Sequence, residues 1–170
     1  DLNIKKWDFG ASFSNDFSVQ IDRGVAKQLK ASQKQVLTLR VWNSTDLVGI
    51  TTTSDLSELG LKKALFQANL ASEYGNKNEK TDFSPLAKEP IKSLITKSNK
   101  PAGIKKLLEV LRIAETNLLN KHEAIKSIPY NGLSETFFKR IYANSDGASR
   151  SYENSQAALY LYARAEEKDK

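Results

Sequence analysis

The run Val48-Gly49-Ile50-Thr51-Thr52-Thr53 is followed at once by Ser54-Asp55, and from there the apolar residues repeat at helical spacing. β-Branched residues are stiff at χ1 and suit a pleated surface, so 47–53 reads as a strand. Ser54 and Asp55 offer side-chain oxygens to the free N–H groups of a helix start. Asp55-Leu56-Ser57-Glu58 has capping-box spacing, with Glu58 in the third helical position. Leu61, Ala64, Leu65, Ala68 and Ala71 then mark a helix over 56–74, and Gly75 suits a left-handed cap. Gly60 in the first turns weakens that helix. This junction requires a fold that mixes sheet and helix.

Upstream, Trp7, Phe9, Ala11 and Phe13 alternate with polar residues over 5–13, which predicts a strand with one apolar face. Ser14-Asn15-Asp16 reads as a turn, and Phe17, Val19 and Ile21 as the second strand of a hairpin. Arg23-Gly24 breaks it. Val25, Lys27, Leu29 and Ala31 form a weaker third strand, and Ser32-Gln33-Lys34 a turn. Val36 to Trp42 is apolar on both parities except Thr38 and Arg40, as expected of a strand inside a sheet. Asn43-Ser44-Thr45-Asp46 is another turn.

Downstream, residues 76–98 have no clear period and contain Pro85 and Pro90, which predicts a mobile connection pinned in places by Phe83, Leu86 and Ile91. Pro101 suits the first turn of a helix over 102–120, whose face carries Ile104, Leu107, Leu108, Leu111, Ala114 and Leu118. A second strand section closes the chain: 124–129, a break at Tyr130-Asn131-Gly132, 137–143, a turn at Asn144-Ser145-Asp146-Gly147, and one or two strands over 149–164. The expected fold is α+β: an antiparallel or mixed β-sheet built from N-terminal and C-terminal strand sections, packed against two amphipathic helices in one domain over 1–170.

Composition narrows the function. There is no Cys, so disulfides and thiolate chemistry are excluded. The longest dense apolar run, 157–163, is too short to span a bilayer, and no apolar signal segment opens the chain, which fits a cytoplasmic protein. There is no Met, even at the start, so the chain reads as a fragment of a longer product. The net charge of +6 is concentrated in 76–106, which holds eight Lys against Glu79, Asp82 and Glu89. Lys outnumbers Arg by 20 to 6 and that segment has one aromatic residue, Phe83. Base and phosphate recognition favours Arg forks and stacking platforms, so a solvated connection explains the charge better than a nucleic-acid surface.

Candidate chemistry is sparse. His122 is the only His, and His122-Glu123 lacks the second His that a metallopeptidase helix needs. One His and no Cys do not make a usual zinc site, so His122 reads as a helix-end surface residue. Ser145 has no base near it in sequence, and a turn explains Asn144–Gly147. Capping explains Asp55 and Glu58 without acid–base work. Strand parity makes Trp7, Phe9, Phe13 and Phe17 core residues rather than pocket walls. Tyr160 and Tyr162 lie opposite Leu159 and Leu161 and cover either a helix or a partner. No catalytic, cofactor or metal residue is assigned.

Arg40-Val41-Trp42, Val48-Gly49-Ile50, Thr52-Thr53-Ser54-Asp55-Leu56-Ser57 and, roughly ninety residues on, Ala143-Asn144-Ser145-Asp146-Gly147 with Ser151-Tyr152-Glu153 resemble the N-terminal domain of the TldD/PmbA family, with a slight lean to the PmbA (TldE) branch. Those proteins are described as zinc metallopeptidases and as modulators of DNA gyrase. The resemblance implies two α+β domains in the full-length protein, with the zinc motif HExxxH lying beyond a domain like this one. Zinc would then belong to the rest of the protein or to its partner. It also implies a homologous subunit as partner in a homo- or heterodimer, and peptides as substrates enclosed in a cavity that this domain helps to form. Family members usually carry a helix ahead of the first strand, which this chain lacks. Two functions follow: a domain of a metal-dependent peptidase or of its metal-free partner, inert alone, or a non-catalytic module that binds peptides along a sheet edge. Gyrase modulation rests on the family label.

Overall fold

The computed structural model describes residues 2–76, 81–88 and 100–166. Five strands and two helices follow in the order β1 (Ile4–Asp22), β2 (Val25–Asn43), β3 (Val48–Thr53), α1 (Glu58–Ser72), α2 (Gly103–Leu119), β4 (Ile125–Asn144) and β5 (Ser149–Ala165). The strands form one five-stranded antiparallel sheet in the order β3-β2-β1-β4-β5. This is the α+β fold expected. No helix among the described residues is long and apolar enough to cross a membrane.

The strands are much longer than the sequence implies. β1 runs straight through Ser14-Asn15-Asp16, β2 through Ser32-Gln33-Lys34, and β4 through Tyr130-Asn131-Gly132. Residues of this kind form turns when their side chains have only local backbone to bond. Here they find partners on other strands. Asp16 accepts hydroxyls from Ser14, Ser32 and Thr136. Asn131 bonds both backbone groups of Ile21, at 3.0 and 2.9 Å, standing in for ladder bonds. Gly132 leaves room for the Tyr160 ring, which would lie 2.6 Å from an added Cβ. The true turns are Arg23-Gly24, with φ of 49° and 75°, and the two Asn-led loops after β2 and β4. In the first of these the Asn43 side-chain oxygen collects the N–H groups of Thr45 and Leu47.

The chain divides into two compact units. The first comprises Asp1–Phe13, Lys34–Thr96 and Lys139–Glu153. In it β3 pairs with β2 from Leu37 to Trp42, and α1 packs on β3. The buried stripe of α1 is Gly60, Ala64, Ala68 and Ser72. The expected face is corrected here: Leu61 is exposed and Leu65 only half-buried, while small residues take the sheet side. Gly49 makes that close approach possible, because a Cβ there would run into the Ala68 carbonyl and stand 2.5 Å from the Ser72 nitrogen. The helix is capped by Ser57, whose hydroxyl accepts the Gly60 N–H at 3.1 Å, not by Asp55. Asp55 sits two positions earlier and accepts the Ser57 N–H. Its far end is closed by right-handed Glu73, not by a left-handed Gly75.

The second unit comprises Ser14–Gln33, Lys97–Phe138 and Asn154–Lys170. Val19, Ile21, Leu107, Leu111 and Leu133 form its core, with Phe17, Ile104, Leu108 and Leu161 packed around them. α2 thus buries the face that its spacing predicts. It starts after Ala102, so Pro101 precedes the cap instead of occupying the first turn. Buried Glu115 accepts the Gly24 N–H at 2.7 Å and Arg112 donates to the Gly24 carbonyl at 2.8 Å, fixing the β1–β2 hairpin to α2.

The connection expected to be mobile, 76–98, lies largely outside the described residues, Ile91 included. Its piece 81–88 is packed, with Phe83 and Ala87 buried against Trp42. Leu86, by contrast, is exposed.

Candidate functional site

Two polar groupings stand out, one in each unit. In the first unit, Asp8 sits where strand alternation places a solvent-facing residue, yet it is 2% exposed, while Trp7 is 37% exposed and stacks on Phe9. The parity expectation is therefore reversed at the head of β1. Phe9, Phe13 and Phe17 are half-buried. The reason is a fork: Arg40 donates from Nε and from a terminal nitrogen to the two Asp8 oxygens, and the Tyr142 hydroxyl donates to the same carboxylate at 3.1 Å. Bidentate charge-assisted bonds offset the desolvation of the carboxylate. The hydrogen bond to Asp8 raises the Arg40 pKa, and burial raises that of Tyr142.

This group ties down the segment 81–88. Arg40 lies over the Trp42 ring, and Trp42 donates to the Thr81 carbonyl at 3.0 Å and meets Phe83 edge-on. Lys6 spans both rings and pairs with Asp82 at 2.6 Å, which holds the Asp82 carboxyl below its usual range. Asn144 donates to the Ala87 carbonyl at 2.7 Å. Every polar atom named here has a protein partner, so the grouping is structural.

Arg40→Met should cost about 2 kcal/mol, discounted from the value for a fully buried pair because the guanidinium is part-exposed. It strands a carboxylate whose side chain is 3% exposed. Asp8→Asn should cost less, since the Arg40 side chain, 35% exposed, can turn to water. Chemical denaturation of both variants checks the order. Alkaline pH should loosen the same network. The folded pKa values of Tyr142 and Arg40 are raised, so their contribution is complete below the unfolded values and is lost as pH rises through the folded ones, from about pH 10 upward. A tyrosinate absorbance titration of wild type and Tyr142→Phe should show a tyrosine that titrates above the ordinary value missing from the variant.

The second grouping is open. β1 runs between β2 and β4, and mid-strand Asp16 meets a hydroxyl from each neighbour: Ser32 at 3.4 Å and Thr136 at 2.9 Å, with Ser14 at 3.2 Å. Around it lies a concavity of about 610 Å³, whose walls include Phe17, Leu29, Lys30 and Ser134. One wall is the first part of β2. β3 covers only Leu37–Trp42, so among the described residues 25–36 have no strand on their outer side, and all twelve are exposed. Lys27, Lys30 and Lys34 punctuate this edge, the usual protection of a bare strand.

Residues 97–170, which carry α2, β4 and β5, match the PmbA/TldA metallopeptidase central domain. Over that stretch the chain is similar to the TldD/PmbA family. The expected resemblance thus holds, and the matching domain is the one called central. TldE from Thermococcus kodakarensis has the same fold, with a TM-score of 0.78 at 18% identity over 96% of this chain and 37% of that one. A protein from Thermotoga maritima named as a proposed modulator of a DNA gyrase follows, with a TM-score of 0.73 at 16% identity and the same coverages. A similarly named protein from Bacteroides thetaiotaomicron gives 0.67 at 15%, over 93% of this chain and 36% of that one. At these identities the likeness is one of fold, and the chain spans little more than a third of each structure. No curated protein matches the sequence.

Against the TldD/PmbA frame, the residues singled out from sequence scatter. His122 ends its search locally: its Nδ1 accepts the Ala124 N–H at 3.1 Å. With that nitrogen engaged, no Cys, and no group of three His, Asp or Glu side chains among the described residues, the donor set here does not fit zinc. Asn144–Gly147 is the expected turn, with Gly147 at φ 89° and Asn144 accepting the N–H groups of Asp146 and Ala148. Asp55 and Glu58 act at the helix start: bonds from Ser57 lower the Asp55 pKa, and Glu58 pairs with Lys62 at 2.6 Å. Tyr160 meets Tyr162 edge-on and accepts from Gln20 at 3.0 Å. The Asp16 concavity was hidden because Ser14, Asp16 and Ser32 sit at positions read as turns and Thr136 just ahead of the strand read from 137.

Proposed function

We propose that this chain is a non-catalytic sheet domain of a TldD/PmbA-type protein that works in proteolysis or peptide maturation. It forms part of the wall against which peptide is held. The hydrolytic metal is zinc, carried by the rest of the protein or by a homologous subunit paired with it. The match of 97–170 to the metallopeptidase central domain carries this reading. The bare edge of β2 beside a concavity supports the peptide role, since an extended chain adds to such an edge through main-chain hydrogen bonds.

The chain alone should bind unstructured peptides weakly and leave them intact, with or without added zinc. Titration followed by NMR, with mass spectrometry of the recovered peptide, checks both halves. Cleavage that survives repurification and ignores chelators would place catalysis in this chain and overturn the proposal. Absence of any binding would remove the peptide-holding role.

A further inference from the structure

We infer that the concavity around Asp16 holds a primary ammonium group at the end of an aliphatic or peptide stem. The inference rests on the peptide-holding role only for where the amine comes from; the site itself is defined by its own chemistry. A carboxylate has about four lone-pair positions, and Asp16 uses three for the hydroxyls of Ser14, Ser32 and Thr136. Those hydroxyls keep lone pairs of their own. An ammonium brings three donors and no acceptor, so it meets one free carboxylate position and the hydroxyl oxygens of Ser32 and Thr136 on the wall. Among the described residues no cation pairs with Asp16. Asp8, by contrast, is buried and saturated by Arg40 and Tyr142. Asp16 is therefore a half-buried carboxylate, held rigid by neutral donors, in a space of about 610 Å³. Lys30, also on the wall, works against any cation and against a dication more strongly than a monocation.

The probes are n-butylammonium and three forms of one unstructured peptide: free amino terminus without Lys, acetylated without Lys, and acetylated with one Lys. Binding is followed by amide and side-chain NMR shifts in the whole chain. Butylammonium and at least one amine-bearing peptide should shift Asp16, Ser32 and Thr136, while the acetylated Lys-free peptide binds at least ~10-fold more weakly. The two amine-bearing forms tell an amino terminus from a Lys tip. Asp16→Asn should lower affinity by ~10-fold, the scale of one charge-assisted bond lost. Thr136→Val should lower it by less, and Lys30→Ala should leave it equal or tighter. Loss of binding in Lys30→Ala with retention in Asp16→Asn would mark an anion site and overturn the inference, as would shifts centred elsewhere. If Asp16→Asn misfolds, the wild-type shift map and Lys30→Ala decide. Peptide binding that ignores acetylation sinks the ammonium site but leaves the peptide role standing. Butylammonium binding at Asp16 without peptide binding does the reverse.

Discussion

Trp42→Ala should destabilise the unit built on Asp1–Phe13, Lys34–Thr96 and Lys139–Glu153 by about 3–5 kcal/mol, the range for removing a buried aromatic side chain. Trp42 has no exposed surface. Its ring is the common wall for Phe83, Lys6 and Arg40, and its N–H is the donor to the Thr81 carbonyl. The substitution leaves a cavity and an unpaired carbonyl together, so the cost exceeds simple transfer of the ring. Segment 81–88 should loosen before the sheet does, because Ala87 and Phe83 lose the surface they pack on. Denaturant unfolding gives the magnitude, and amide exchange across 81–88 gives the order. A cost below about 1 kcal/mol, or unchanged exchange at Phe83 and Ala87, would show that the segment is held without the ring.

Gly49→Ala should cost about 3 kcal/mol, at the upper end for overpacking, and should act through the backbone. The added methyl meets the Ala68 carbonyl and the Ser72 nitrogen, neither of which can rotate away as a side chain would. Relief requires α1 to lift from β3, which exposes Ala64, Ala68 and Ser72. Gly10→Ala is the control: it also sits in a strand, but nothing lies within 4 Å of its added Cβ, so it should change stability by less than about 1 kcal/mol. Thermal melts of the two variants, with a crystal structure of Gly49→Ala if it folds, distinguish backbone displacement from a general loss of β-structure. Equal melting points for the two would show that the close approach of α1 to β3 is relieved at little cost.

Where the signal was local, the sequence was legible. The shift from a β-branched strand to a helix at Ser54–Ser57 could be read because capping uses residues within one turn of each other, although the capping residue itself lay two positions on, at Ser57. The α2 face could be read because Leu107 and Leu111 recur at the period of the helix. Arg23-Gly24 and the Asn43 and Asn144 loops could be read because positive φ and side-chain-to-backbone bonds are properties of a few consecutive residues. The same reasoning misread Ser14-Asn15-Asp16, Ser32-Gln33-Lys34 and Tyr130-Asn131-Gly132. Their polar side chains are turn formers in isolation, and only neighbours more than a dozen residues away, Thr136 for Asp16 and Ile21 for Asn131, keep them in strands.

The sequence by itself determined the α+β class, the two helices with their approximate ends, the short hairpin turns and the absence of thiolate chemistry. Each follows from periodicity, backbone preference or composition, which need no partner. Tertiary structure alone decided that short predicted strands join into strands of 17 to 20 residues. It alone decided that Asp8 goes inside while Trp7 stays out, since burying a carboxylate depends on Arg40, 32 positions away, arriving with the right fork. And it alone set Asp16 in a ring of hydroxyls from three strands, because a site built across a sheet is spelled by residues that share no spacing along the chain.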